Sequence, residues 1–158
     1  MKIKSFVQLI LCIILCQAVG GLGAIFTTPE IPGWYASIQK PSFNPPNWIF
    51  APVWTTLFVL MGISLWLTLK SEKSAAKKVA LFAFAIQLTL NLAWSLLFFK
   101  LHSPLAGLIG VFFLWLAILF WILKTHPISK LGAWISIPYL MWVSFASFLN
   151  FWIWKLNV

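Results

Sequence analysis

The sequence predicts an all-α integral membrane protein: a single domain, residues 1–158, in which five transmembrane helices form a bundle with a long, ordered first loop. Hydrophobic residues make up 62% of the chain and charged residues only 8%, whereas a soluble domain carries about 25% charged residues. The apolar residues also fall into five runs, each near the roughly 20 residues needed to cross a bilayer core. No run alternates with period two, as the strands of a membrane β-barrel would.

The first apolar run follows a short basic segment with Lys2 and Lys4, and it predicts a helix over residues 5–26. A signal peptide also starts with a basic segment, but its apolar part is only about 7–15 residues long. The longer run favours a retained helix. Gly20 and Ala24 lie four residues apart, a spacing that lets helices approach closely.

Residues 27–47 form the first loop, which holds five of the nine prolines together with Trp34 and Tyr35. Loops this long are uncommon unless they are functional or disordered. Disordered segments contain few aromatic residues, so we predict an ordered lid that packs onto the bundle.

Four further helices are predicted, over residues 48–69, 79–99, 104–123 and 131–154. Pro52 and Pro104 fall in the first turns, where a missing N–H costs least. Pro138 lies inside the last run and predicts a kink there. Four tryptophans near helix ends are predicted to form an interfacial belt: Trp48, Trp66, Trp121 and Trp134.

The charge of the chain is one-sided, with a formal net charge of +9. All basic side chains are lysines at the ends of apolar runs, where they can reach lipid headgroups. The chain has no arginine, the residue most used to read bases, so we expect contact with membrane lipid and not with nucleic acid. Eight lysines fall on the N-terminal side and three on the other, which predicts a cytoplasmic N-terminus.

Few polar residues lie within the predicted spans. Gln87, Asn91 and Ser95 are spaced by four residues and share one helix face. They either join helices or form the hydrogen-bonding wall of a ligand cavity. On the last helix, small Ala146 beside large Trp142 predicts a notch for a flat ligand, although plain packing would use the same residues.

The spans contain no carboxylate pair, no histidine and no cluster of metal ligands, so the usual groups for hydrolysis or metal binding are missing. The absence of charge within the spans also argues against an ion-coupled pump. We therefore expect no metal and no cofactor. An aromatic cavity with a few neutral polar groups suits a flat, apolar ligand with polar edges.

Seven motifs made largely of uncommon residues follow one another along the chain. They are Trp34-Tyr35, Lys40-Pro41, Phe43-x-Pro45-Pro46, Pro52-Val53-Trp54, Met61-Gly62, Asn91-x-x-Trp94-Ser95-x-x-Phe98-Phe99 and Pro138-Tyr139-x-x-Trp142-x-x-Phe145-Ala146-x-x-Leu149-Asn150. Their order and spacing resemble the translocator protein family, also called tryptophan-rich sensory proteins or peripheral-type benzodiazepine receptors. The resemblance covers almost the whole chain.

The resemblance implies a bacterial-type member in the bacterial plasma membrane, commonly a homodimer. It implies a receptor or sensor that binds porphyrins such as protoporphyrin IX, related tetrapyrroles, and isoquinoline carboxamide or benzodiazepine-type ligands in a Trp-lined intramembrane pocket. Asn91 would bind a polar edge of the ligand, and lysines at the rim would meet propionates. Carried over motif by motif, the ligand-binding residues are Trp34, Tyr35, Pro45, Pro46, Trp54, Asn91, Trp142 and Ala146.

Two alternative functions stay open. Some bacterial members are reported to degrade porphyrin in light, and Trp54 and Trp142 are then the candidate catalytic residues, with none firm otherwise. The other alternative is a transporter of tetrapyrroles or other lipophilic metabolites.

Two further features bear on ligand and assembly. The sterol-binding pattern of mammalian members has a tyrosine where this chain has Phe151, and such patterns are weak even when intact, so we do not expect a sterol as the natural ligand. Ala106 and Gly110 suit either a dimer contact or packing within one chain.

Overall fold

The computed structural model describes residues 3–72 and 74–158, and every regular element in these residues is helical. The α-helices are α1 (Ile3–Thr27), α2 (Trp34–Ser37), α3 (Phe50–Lys70), α4 (Ala75–Ser95), α5 (Pro104–Thr125), α6 (Lys130–Trp134) and α7 (Ile137–Leu156). Short 3₁₀ turns at Thr28–Glu30 and Asn47–Ile49 flank the first loop, and a π-helical turn at Leu96–Lys100 extends α4. The predicted all-α fold class is confirmed.

Five helical stretches within the described residues are long and apolar enough to cross a membrane. They are Ile3–Glu30, Asn47–Lys70, Ala75–Lys100, Pro104–Thr125 and Lys130–Leu156. Large apolar side chains on their outer faces stay exposed, including Phe82, Phe112 and Met141. Such a surface is suited to lipid and not to water.

The helices pack around a core that runs the length of the bundle. Helix α5 contacts α4 and α7, α1 contacts α3 and α4, and the short α6 contacts α3 and α5. Met61, Leu114, Ile118 and Val143 lie in this core with at most 2% of their surface exposed. Because α5 packs against both α4 and α7, it holds these two helices in position, and both contribute to the cavity described below.

The fifth span is divided where the sequence predicted one continuous helix over residues 131–154. Helix α6 ends at Trp134, and α7 begins at Ile137 with Pro138 in its first turn. Proline is well tolerated there because the first N–H groups of a helix have no intrahelical acceptor. The proline therefore starts a new helix instead of kinking a long one.

A cluster of hydrogen bonds, here called the serine cluster, holds this break against two other helices. Ser64 Oγ on α3 donates to Gly132 O at 2.8 Å, and the hydroxyl oxygens of Ser64 and Ser136 lie 3.0 Å apart. Trp121 Nε1 on α5 donates to Ser136 Oγ at 3.3 Å. The interfacial-belt prediction for Trp121 is wrong, because its side chain is only 1% exposed.

Two glycines mark places where helices approach closely. A Cβ atom at Gly62 would lie 2.6 Å from Ile13 Cα, so α3 can sit directly against the backbone of α1. A Cβ atom at Gly110 would lie 2.8 Å from Leu97 Cδ1. The sequence left two roles open for the pair Ala106 and Gly110, a dimer contact or packing within one chain. Gly110 packs within the chain.

Candidate functional site: a roofed aromatic cavity

A cavity of about 370 Å³ lies at one end of the bundle, between α1, α3, α4 and α7 and beneath the first loop. Its volume falls within the roughly 300–1,000 Å³ typical of ligand pockets. The helical lining residues are Gln17, Gly20, Gly21, Gly23, Ala24, Thr27, Phe50, Ala51, Trp54, Thr55, Phe58, Asn91, Trp94, Ser95, Phe98, Phe99, Trp142, Ala146, Leu149, Asn150 and Ile153. The loop and its flanking turns contribute Thr28, Ile31, Tyr35 and Asn47.

Small residues on α1 make room for the rings opposite. A Cβ atom at Gly20 would lie 2.4 Å from Phe58 Cε2, and one at Gly23 would lie 3.1 Å from Ser95 Oγ. Ala24 lies on the same wall. The predicted close-packing pair Gly20 and Ala24 therefore forms a flat side of the cavity.

Stacked rings form a second wall. The Trp54 and Trp94 rings stack with centroids 6.4 Å apart, and Trp94 stacks on Phe98 at 5.6 Å. Trp54 also contacts Tyr139 edge to face at 6.2 Å. Aromatic pairs in these geometries contribute about 0.5–1.5 kcal/mol beyond their buried area, so the wall is held in place before any ligand binds.

Trp142 extends from α7 near the start of α3. Its ring contacts Phe50 edge to face at 6.0 Å and Phe145 at 5.6 Å. The indole Nε1 of Trp142 is buried and has no hydrogen-bond partner among the described residues. Buried donors without partners are rare in proteins, so this N–H is a candidate contact for a bound molecule.

Two asparagines supply polar groups, and each is held by a neighbouring helix. Asn91 Nδ2 donates to Tyr139 Oη at 2.9 Å, which leaves Asn91 Oδ1 without a donor among the described residues. Asn150 Nδ2 donates to Pro104 O at 2.8 Å, and Asn150 Oδ1 accepts from Trp94 Nε1 at 3.2 Å. Asn150 thus positions the Trp94 ring, whereas Asn91 offers an acceptor to the cavity.

The described lining residues include no charged side chain. Lys40, the lysine in the first loop, binds to groups within the loop itself. Its Nζ donates to Tyr35 O at 2.6 Å and Ile38 O at 2.8 Å, and it lies 4.9 Å from the Tyr35 ring centroid. The expectation that rim lysines meet propionates therefore receives no support from Lys40.

The first loop, residues 27–47, forms the roof of the cavity and contacts the bundle at two places. At the first, His102 Nε2 lies 2.7 Å from Glu30 Oε2, and the His102 ring stacks on Trp34 with centroids 4.9 Å apart. His102 lies in the turn before α5 with a φ of 50°, a left-handed conformation that is uncommon outside glycine but that Asn, Asp and His adopt more often than other residues. This contact, here called the Glu30–His102 clip, joins the end of α1 to the turn that follows α4.

At the second place, the C-terminal end of α7 binds the loop. Asn157 Oδ1 accepts from Gln39 N and Asn157 Nδ2 donates to Gln39 O, both at 2.9 Å. Phe43 stacks on Phe148 of α7 with centroids 5.2 Å apart. The loop is therefore ordered by contacts with residues far away in the sequence.

Tyr35 links the roof to the cavity. Its Oη donates to Asn44 Oδ1 at 2.9 Å, and its ring packs near Phe98 and Phe99. Burial raises the pKa of the Tyr35 phenol above its ordinary value, while the hydrogen bond with Asn44 acts in the opposite direction. The phenol is protonated at neutral pH even at its ordinary pKa, so it acts as a donor.

The π-helical turn Leu96–Lys100 shapes the corner between roof and bundle. Phe98 and Phe99 are consecutive and both are buried, with 3% and 7% of their surface exposed. Single π-helical turns inside α-helices occur often at functional sites. Here the turn brings both rings to the cavity side, where Trp34 packs against them.

The structure brings five of the eight predicted ligand-binding residues together at the cavity: Tyr35, Trp54, Asn91, Trp142 and Ala146. The other three, Trp34, Pro45 and Pro46, do not line it. Trp34 lies behind Phe98 and Phe99. Pro46 is exposed, and its carbonyl accepts from Ile49 N at the turn that starts the second span.

Sequence reasoning did not assign Trp94, Phe98 and Asn150 to the site, although all three line the cavity. Their signal was present, because Trp94 and Phe98 share a motif with Asn91, and Asn150 follows Ala146 by four residues. Gln87, in contrast, was a candidate for the cavity wall but does not line the cavity. It is completely buried one turn below Asn91, and its amide has no partner among the described residues.

Five apolar spans and a roofed internal cavity define an integral, multi-pass membrane protein with a site inside the bundle. A model of the TspO/MBR family matches residues 12–155. The chain belongs to the TspO/MBR family.

Similar proteins come from bacteria and animals. The chain is 47% identical to the tryptophan-rich protein TspO of Chlorobaculum tepidum, over 98% of each chain. It is 34% identical to the translocator protein of Homo sapiens, over 86% of this chain and 82% of that one. It is 31% identical to the tryptophan-rich sensory protein of Cereibacter sphaeroides, over 90% of this chain and 86% of that one.

Proposed function

We propose that the protein is a membrane receptor or sensor that binds flat, lipophilic aromatic molecules in its roofed cavity. Porphyrins such as protoporphyrin IX and related tetrapyrroles are the natural class, and isoquinoline carboxamides and benzodiazepines are smaller synthetic ligands that are also aromatic and lipophilic. One observation carries the proposal: an uncharged cavity whose walls are stacked tryptophans and whose roof is ordered. Family membership supports it.

Each part of the cavity has a role in this proposal. The stacked Trp54 and Trp94 rings form a face on which a flat ring system lies. Asn91 Oδ1 accepts a hydrogen bond from an N–H or O–H group of the ligand, because the Asn91 amide nitrogen is already engaged by Tyr139. Ala146 leaves the space beside Trp142 that an aromatic edge fills.

The absence of charge in the described lining sets the orientation of a porphyrin. An isolated carboxylate moved out of water without a partner carries a large desolvation cost. The ring therefore enters the cavity, and the propionates stay at the loop end in contact with water. A ligand without ionised groups can enter completely.

Fluorescence of the purified protein in detergent tests the proposal. Protoporphyrin IX at micromolar concentration is expected to quench tryptophan emission saturably, and Trp142→Leu should weaken this binding. Trp134→Leu serves as the control, because Trp134 is 66% exposed and distant from the cavity. Unsaturable quenching, or equal affinity in both variants, would contradict the proposal.

A second candidate is light-dependent degradation of bound porphyrin by oxygen. The observation that favours it is the Trp54–Trp94 pair, since two stacked indoles beside a bound chromophore can exchange electrons with its excited state. Trp54 and Trp142 are the residues assigned to this chemistry. Illumination of the complex with Trp54→Phe and Trp142→Phe tests it, and unchanged product formation in both would remove it.

For location and assembly, we propose a homodimer in a bacterial plasma membrane with its N-terminus in the cytoplasm. Eight lysines against three on the two sides of the membrane support the orientation. Reporter fusions at each terminus in cells test it, and cross-linking in native membranes tests the dimer. A signal from the N-terminal fusion outside the cytoplasm would reverse the orientation.

A further inference from the structure

A groove at the other end of the bundle lies between the start of α1 and the end of α3. It is largely open to the outside, with a volume of about 590 Å³, and its lining residues are Lys4, Ser5, Val7, Gln8, Leu11 and Lys70. Lys4 lies in the first turn of α1, and Lys70 is the last residue of α3. Both lie at the ends of membrane spans, at the level of lipid headgroups.

The two lysines face this groove without an acidic partner. Among the described residues neither lysine lies within 4.0 Å of a carboxylate oxygen, and Glu30 contacts His102 at the opposite end of the bundle. The unpaired N–H groups in the first turn of α1 add positive potential. Two like charges in one groove repel each other, and an anion between them would remove that repulsion.

Neighbouring contacts hold the positive side of the groove in place. Trp66 Nε1 on α3 donates to Ser5 O on α1 at 3.0 Å, which ties the two helices together. The Lys70 ammonium lies 4.5 Å from the Trp66 ring centroid. Lys77 Nζ donates to Leu69 O and Ser71 O at 2.6 and 2.8 Å, so it neutralises the carbonyl end of α3 beside the groove.

The groove continues into an apolar surface. Val7 and Leu11 follow Lys4 at about one and two helical turns, and their side chains are 49% and 59% exposed. Gln8 lies between them and forms no side-chain hydrogen bond with another described residue. Cations at the headgroup level, a free amide and an apolar track below match the three parts of a phospholipid.

We propose that this groove binds one phospholipid whose headgroup carries a net negative charge. Its phosphate lies between the ammonium groups of Lys4 and Lys70, and the Gln8 amide donates to a headgroup or ester oxygen. One acyl chain follows Val7 and Leu11 into the bilayer. Free phosphate would lack this apolar contact, so the site selects a lipid.

Native mass spectrometry of the whole protein, released from detergent with equal amounts of phosphatidylglycerol and phosphatidylcholine, tests the site. The wild type is expected to retain one phosphatidylglycerol in preference to phosphatidylcholine. Lys4→Gln and Lys70→Gln should each weaken the preference about fivefold, since a lysine near an anionic surface contributes about 1 kcal/mol. The double variant should lose the preference.

The matched controls are Lys100→Gln and Lys155→Gln, which remove lysines from the opposite end of the bundle and should leave the preference unchanged. Leu11→Gln should weaken retention of the lipid with both lysines intact. Circular dichroism checks that all variants remain folded. Equal retention of the two lipids by the wild type, equal losses in the controls, or displacement by inorganic phosphate would each overturn the proposal.

Discussion

The two ends of the bundle use their polar residues differently. At the serine cluster, the side chains of Ser64, Ser136 and Trp121 bond to one another or to Gly132 O, and Trp121 also packs on Phe84 at 4.9 Å. At the cavity, Asn91 bonds with one side of its amide and leaves the other side free. Polar groups that satisfy each other join helices, whereas a half-satisfied polar group that also lines the cavity can serve a ligand.

The difference extends to the way each end is closed. The serine-cluster end is closed by side chains packed inside the bundle, with Trp121 only 1% exposed. The cavity end is closed by a loop that partly exposed contacts fasten, since the side chains of Glu30 and His102 are 22% and 45% exposed. Under the proposed function, these more exposed contacts lie at the end where we expect the ligand to enter.

The largest predicted effect is a loss of stability at the serine cluster. Trp121→Ala removes a completely packed ring and should lower the free energy of unfolding by about 3–5 kcal/mol. Thermal unfolding in detergent measures it, with the exposed Trp134→Ala as the control. A shift no larger than that of the control would mean that this end does not carry the fold.

The second prediction concerns the notch beside Trp142. Ala146→Leu should lower porphyrin affinity more than about tenfold by filling the cavity, because a packed site has no room for added carbon atoms. Titration of tryptophan fluorescence measures the affinity. Ala85→Leu, on the exposed side of α4, is the matched control, and equal affinities in the two variants would place the ligand elsewhere.

The third prediction concerns the stiffness of the roof. Pro45 and Pro46 do not line the cavity, so Gly at both positions acts through the entropy of the free loop, at about 0.4–1 kcal/mol for each proline. If ordering of the loop is fully coupled to ligand binding, ligand affinity should fall about four- to thirtyfold. The midpoint of thermal unfolding should change less. Unchanged affinity would make this part of the loop a linker only.

The smallest predicted effect is at the Glu30–His102 clip. Partly exposed ion pairs contribute about 0.2–1 kcal/mol, so Glu30→Gln should speed ligand dissociation by at most about fivefold. His102→Asn is the companion variant, because Asn also tolerates the left-handed backbone and lacks the imidazole ring that contacts Glu30 and Trp34. Stopped-flow dissociation measures both, and Glu72→Gln is the control; equal rates in all three would show that the clip does not retain the ligand.

Local residue patterns were enough to predict much of this molecule. Hydropathy is summed over neighbouring residues, so the five spans and their approximate ends could be read from the chain. The spacing by four along α4 and α7 placed Asn91, Trp142 and Ala146 on faces that now line the cavity. The aromatic content of the first loop similarly predicted its order.

Only the tertiary structure could decide what depends on distant partners. Ser64 and Ser136 are 72 positions apart, as are Glu30 and His102. The first pair holds the break in the fifth span against α3 and contacts the buried Trp121. In the second pair, His102 stacks on Trp34, which does not line the cavity. A hydropathy pattern predicts which residues are buried away from water. Which partner a buried residue contacts depends on how whole helices pack together, and a local stretch of sequence does not contain that information.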